Sequence, residues 1–198
     1  ECGYAQALNF NGFSVSRNTS LITCGSFMSG PDIYSFSGYA EWDISKIPDT
    51  ANMTDVKLGY ACNNNVEYYN AMIRSMINQP SLVNASILWD DIEDGSSYED
   101  GPFPEDGNNK IIQLKEAINF DIDNHLDSDW FAISLYWPGY GDGSFIYFYG
   151  INGQPEPKLY VEYDDEVIAP LVDNAIYTTY DFDSTFYTIN NTIIKNQT

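Results

Sequence analysis

The sequence predicts an all-β fold, an antiparallel jelly-roll or Ig-like β-sandwich with one or two short helices. Three observations lead there. Apolar and polar residues alternate at period 2 through several short segments, the side-chain spacing of a half-buried strand. Gly and Pro punctuate the chain between those segments, at Gly12, Gly30-Pro31, Pro48, Gly95, Gly101-Pro102, Pro138-Gly139, Gly141, Gly143 and Gly153. Among 198 residues there are 20 Ile, 16 Tyr and 11 Phe, the branched and aromatic types that suit a pleated surface.

Taken in order, Ala40, Trp42 and Ile44 alternate with Glu41 and Asp43, so one face of that strand is apolar. Pro48-Asp49 turns the chain, and Val56, Leu58, Tyr60 and Cys62 return it with a shared inner face. Phe131, Ile133, Leu135 and Trp137 make the inner face of a later strand. The aromatic run Ser144–Tyr149 reads as another, and Leu159, Val161 and Tyr163 alternate with Tyr160 and Glu162 in a last one. Helical spacing marks Ala85–Ile92 and Lys115–Leu126, where Ile118, Ile122 and Leu126 fall four apart. Asn65–Ile77 fits both periods: Val66, Tyr69, Ile73 and Ile77 suit a helix, while Tyr69, Ala71 and Ile73 suit a strand. After Tyr163 the texture turns polar. Residues 1–166 are therefore read as the sandwich domain and 167–198 as an extended C-terminal segment, a strand-exchange or docking tail. Within that tail Ile176–Tyr180 and Phe186–Ile194 are strand candidates.

The charge balance excludes whole classes of partner. There are 29 Asp and Glu against 8 Lys and Arg, a net of -21. A phosphate backbone or an anionic lipid surface needs a basic footprint, which this chain lacks. No apolar run approaches 18 residues, so no membrane insertion is expected. Residue 1 is Glu with no leader after it, which fits a processed product or a fragment; a removed signal peptide would leave this appearance. Five Asn-x-Ser/Thr sequons, at Asn18, Asn52, Asn84, Asn190 and Asn196, point to N-linked glycans and an extracellular or cell-surface location.

The cysteines Cys2, Cys24 and Cys62 have no C-x-x-C spacing, which removes a zinc ribbon or a dithiol redox motif. Cys24 and Cys62 each end an apolar strand run, so two readings stand: a Cys24–Cys62 disulfide with Cys2 left to join another chain, or small buried thiols.

Catalytic candidates are few, and no enzymatic activity is expected. The one histidine, His125, sits among carboxylates with no Ser or Cys signature and reads as a helix-end residue. The stretch Asp121–Asp129 mimics a calcium loop but has Ala132 where the bidentate Glu belongs. The segment from Asp90 to Asp106 carries eight carboxylates and reads as a solvated acidic loop. No cofactor is expected, and a hard cation such as Ca2+ at the acidic loops is the one candidate. Gly139–Gly143 lacks the Lys and the spacing of a phosphate loop. Trp42, Trp89, Trp130, Trp137, Tyr136, Tyr140, Tyr147 and Tyr149 are candidates for stacking on sugar rings, against the commoner fate of core packing.

The stretch Gly38–Tyr60 (GYAEWDISKIPDTANMTDVKLGY) is similar to the core of the DNRLRE-type jelly-roll modules. Gln79-Pro80-Ser81, Ile92–Tyr98, Ser128–Ile133 and the closing Pro157–Tyr163 follow in the same order, so the resemblance spans roughly residues 20–164. It implies a jelly roll and a carbohydrate-binding-like role in bacterial or archaeal surface proteins. The name-giving run is replaced here by Tyr4–Phe10, so the resemblance carries the fold further than a glycan site.

The functional expectation is a non-enzymatic structural subunit of an extracellular, pilus-like fibre. It would bind copies of itself by donating a terminal strand, from residues 4–15 or 176–194. The alternative is a carbohydrate-binding or adhesive module of a larger secreted surface protein, with a polysaccharide as partner.

Overall fold

In the computed structural model the described residues are 1–9, 11–64, 71–101, 103, 106–138, 144–150, 156–165, 186–189 and 192–196. They form a mostly antiparallel, curled β-sheet with a sandwich-like core, as the alternation requires. Eleven strands build the body: β1 (Cys2–Leu8), β2 (Gly12–Arg17), β3 (Leu21–Ser29), β4 (Asp32–Asp43), β5 (Ala51–Asn64), β6 (Met72–Ser75), β7 (Ser97–Asp100), β8 (Asp106–Gln113), β9 (Trp130–Tyr136), β10 (Ser144–Tyr149) and β11 (Lys158–Asp165). Two more, β12 (Phe186–Ile189) and β13 (Thr192–Asn196), come from the C-terminal segment. The hydrogen-bonded order is β12-β13-β11-β5-β10-β3-β4-β9-β6-β7, with β1, β2 and β8 off that path.

Two long strands close the curl, because each serves more than one neighbour. Tyr34–Phe36 of β4 pair with both β1 and β3, and Gly38–Ala40 pair with both β1 and β9. So β1 lies along one edge of β4, while β3 and β9 divide the other. In β5, β8 holds one edge, while β11 and then β10 share the other. Neither strand could reach its second partner if it were only five or six residues long.

The faces follow the period-2 reading. Trp42, Ile44, Val56, Leu58, Tyr60, Phe131, Ile133, Leu159 and Val161 are all buried in one continuous core. Where the local reading was open, the strand period wins: Met72–Ser75 is a strand with Ile73 fully buried, and residues 65–70 lie outside the described residues. The helices are α1 (Ala85–Asp94) and α2 (Ala117–Asp123), followed by a 3-10 turn at Leu126–Ser128. Asn84 caps α1 by accepting from Ser86 N and Ile87 N, which satisfies two amides left open at a helix start. Ile118 and Ile122 of α2 face the core one helical turn apart.

A second apolar cluster lies on the other side of the sheet. Leu88, Trp89 and Ile92 of α1 cover Ala5, Ala7, Tyr39 and Ala132. This explains why the central residues of β9 are buried on both faces, although the sequence marks only Phe131, Ile133 and Leu135 as inward.

Candidate functional site

Three surface features carry the questions raised by the sequence. The first is the β11 edge. Against β5 the strand is antiparallel from Lys158↔Gly59 to Asp165↔Ala51, with a bulge between Glu162 and Tyr163. Its other edge takes β13 in parallel, from Leu159↔Thr192 to Tyr163↔Asn196. Among the described residues every other pairing in the sheet is antiparallel. The C-terminal segment thus enters the sheet by main-chain hydrogen bonds, with β12 antiparallel beside β13. Of the strand candidates in the tail, Phe186–Ile189 and Thr192–Asn196 are strands, and Ile176–Tyr180 lies outside the described residues. Next to this edge Lys57 bonds Asp55 and lies 3.9 Å from Glu162, and the Asp55 hydrogen bond raises its pKa above the ordinary lysine value.

The second feature is an open pocket of about 410 Å³ beside Trp130. The end of β4 supplies Glu41, Trp42 and Asp43, the turn after it Ser45, the turn before β9 Ser128 and Asp129, and Gln79 and Glu1 complete the lining. Asp43 and Trp130 are cross-strand partners, and Ile44 N donates to Asp129 O at 3.0 Å. The His125 ring packs edge-on against the indole at 4.5 Å. Glu41 is pinned, since its carboxylate accepts from Gln79 Nε2 at 2.8 Å and from Ser81 N and Oγ at 2.9 Å. Opposite, Glu1 Oε1 accepts from Arg17 Nη1 and Tyr39 Oη, both at 2.8 Å. The Tyr39 hydroxyl is pushed well above its ordinary pKa, by burial first and then by the Glu1 carboxylate.

The third is a half-exposed aromatic face made by β1, β3, β4 and β10. Phe27 stacks on Tyr34 at 4.8 Å, and Phe36 approaches Phe145 at 5.7 Å. Tyr4 and Tyr147 extend the cluster at either side. Gly25, with φ at 145°, pairs with both Phe36 and Phe145 and leaves room for those rings to close above it.

Of the aromatics marked in the sequence, Tyr147 lies in this face and Trp130 lines the pocket. Trp42, Trp89 and Trp137 are buried. Tyr136 lies under the Arg74 guanidinium at 4.1 Å. Tyr140 and the Gly139–Gly143 segment lie outside the described residues. The missed members, Tyr4, Phe27, Tyr34, Phe36 and Phe145, carry a signal only in hindsight of pairing, because residues two apart share a face but do not name their neighbour.

The Cys24–Cys62 bridge is not formed. Cys24 pairs with Ile146 and Cys62 with Phe148, so β10 stands between them. Two strand spacings make roughly 10 Å, beyond the ~7 Å that a disulfide can bridge. Burial raises the Cys24 thiol well above its ordinary pKa. A maleimide is accordingly expected to label Cys24 only after unfolding, as peptide mass mapping would report. Cys2 is also buried, with its Sγ 3.4 Å from Thr19 O, which closes it off from another chain.

The acidic loop is largely not a loop. Asp90 to Asp94 belong to α1, and Glu99 and Asp100 belong to β7. Asp91 is buried and accepts from Ile77 N at 3.0 Å and Asn78 N at 2.9 Å, so it ties the preceding turn to the helix. Glu105 lies outside the described residues. Among the described residues no three His, Cys, Asp or Glu side chains converge as a metal set. His125 Nδ1 lies 2.7 Å from Asp121 O at the end of α2.

Glu93 and Asp123 have raised pKa values, in both cases chiefly because burial disfavours the charged form. Each therefore holds its proton more tightly folded than unfolded, and stability falls as pH rises from the ordinary values, 4.5 and 3.8, through the raised ones. Thermal unfolding across the acid range is expected to show the midpoint falling above pH 4.5, with Glu93→Gln flattening that fall.

Among the sequons, Asn18, Asn52 and Asn84 are exposed. Asn18 has a left-handed φ of 53° between β2 and β3, Asn52 lies on β5, and Asn84 is the α1 cap. Asn190 and the side chain of Asn196 lie outside the described residues. No protein-family model matches the chain, and no curated protein matches it.

Proposed function

We propose that this protein is a non-enzymatic structural subunit of an extracellular, cell-surface assembly, a pilus-like fibre whose copies join by donation of a terminal strand. The observation that carries the reading is the addition of β13, from the C-terminal segment, to the edge of β11. A strand added this way brings main-chain hydrogen bonds that do not depend on side-chain charge. That matters for a chain with a net charge of -21, whose copies repel at long range. The exposed sequons at Asn18, Asn52 and Asn84, at three separate places in the chain, suit a glycoprotein surface. The resemblance to surface-protein jelly rolls points the same way.

Light scattering of the full-length glycoprotein tests this. Mass per particle is expected to rise with protein concentration, and to rise further with salt as the Debye length shrinks from ~10 Å at 0.1 M to ~3 Å at 1 M. A constant monomer mass at every concentration and salt level would refute it.

The alternative reading, a carbohydrate-binding or adhesive module of a larger secreted surface protein, draws on the pocket at Trp130. There Trp130 shares the lining with carboxylate and amide side chains, Glu41, Asp43, Asp129 and Gln79, that suit hydroxyls. Binding on a glycan array that disappears in Trp130→Phe would favour it.

A further inference from the structure

We propose that the exchanged element is the C-terminal β12–β13 hairpin, and that its receptor is the outer edge of β11 in a second copy of this chain. This rests on the assembly reading and decides between the two termini that could donate.

The N-terminal strand is bound too firmly to leave. β1 is hydrogen-bonded along both edges, to β2 and to β4. Its Cys2, Ala5 and Ala7 are buried, and Glu1 holds Arg17 and Tyr39. Withdrawing it would open the cluster under α1 and strip one edge of β4.

The hairpin is joined differently. Among the described residues, its pairing with the body is with β11 alone. β11 does not need it for its core contacts, because Leu159, Val161 and Tyr163 point inward and the other edge is fully paired with β5. What the hairpin satisfies is a row of main-chain N–H and C=O groups, which the same hairpin from any copy satisfies equally.

The connection permits both arrangements. Twenty residues, 166–185, precede β12, a reach of up to ~70 Å at 3.3–3.6 Å per residue. Phe186 is level with Lys195, and Lys195 with Glu162. Closure on the same chain therefore spans two strand spacings, roughly 10 Å across, and three residues, roughly 10 Å along, and most of the reach remains for a neighbour. Since the contacts are identical within and between chains, concentration sets the balance. Each copy would give one hairpin and accept one, a head-to-tail contact that grows into a filament if its rotation does not close.

The test uses full-length chains carrying one substitution each. Glu162→Cys and Lys195→Cys chains, which place the new thiols in register, are dissociated, mixed, concentrated and oxidised. The expected product is a covalent dimer holding one of each, identified by mass spectrometry and increasing with concentration. Ile193→Pro in the donor, which breaks strand pairing at a position outside the body, should lower its yield more than about tenfold, with the far-ultraviolet dichroism of the body retained. Assemblies that form without this cross-link would overturn the exchange and leave the assembly reading standing. Chains that stay monomeric, with no mixed dimer at any concentration, would overturn both.

Discussion

Tyr60→Ala is expected to destabilise the fold by about 3–5 kcal/mol. The side chain is fully buried on β5. Its ring stacks on Phe148 of β10 at 4.7 Å and meets Phe103 edge-on at 5.9 Å, and Phe103 in turn meets Phe148 at 5.5 Å. Three rings from two strands and a loop thus lock the place where β5 passes from β11 to β10. Truncation removes one ring of the three and leaves a void that backbone hydrogen bonds on both sides prevent from collapsing. Ring pairs of this geometry add about 0.5–1.5 kcal/mol beyond burial. Chemical denaturation would read the loss as a lower midpoint at constant slope, and an unchanged midpoint would refute the packing argument.

Asp91→Ala is expected to cost about 3 kcal/mol, the scale of lost charge-assisted hydrogen bonds together with stranded donors. The Asp91 carboxylate is the partner of two backbone N–H groups, at Ile77 and Asn78. Alanine restores neither bond and fills none of the space. Asp91→Asn keeps an oxygen acceptor and should lose less, so the order Ala below Asn below native separates this role from one of mere charge. If Asp91 were only part of a solvated acidic stretch, both variants would match the native protein, or exceed it by relieving repulsion from Asp90 and Glu93.

The inward faces were legible in the sequence because period 2 reports them directly: Trp42, Leu58, Phe131 and Val161 all point as their neighbours imply. The helix at Ile118 and Ile122 was legible for the same local reason. Adjacency was not. That β10 separates Cys24 from Cys62, or that β4 serves β1, β3 and β9, depends on pairings distant in sequence, which alternation does not encode. The burial of Ala132 was hidden too, since it comes from α1 lying over a face whose residues are small. Of the candidate sites, the strand at Phe186–Ile189 was legible from the branched and aromatic residues of Phe186–Ile194. The Trp130 pocket was not, because Glu41, Gln79 and Asp129 come from three separate parts of the chain.

Electron microscopy of the full-length protein tests the central claim most directly. Head-to-tail strand exchange predicts filaments of uniform width that lengthen with concentration, each repeat containing one copy whose β11 carries a strand traced to its neighbour. Uniform single particles, each with its C-terminal strand traced to its own β11, would contradict it.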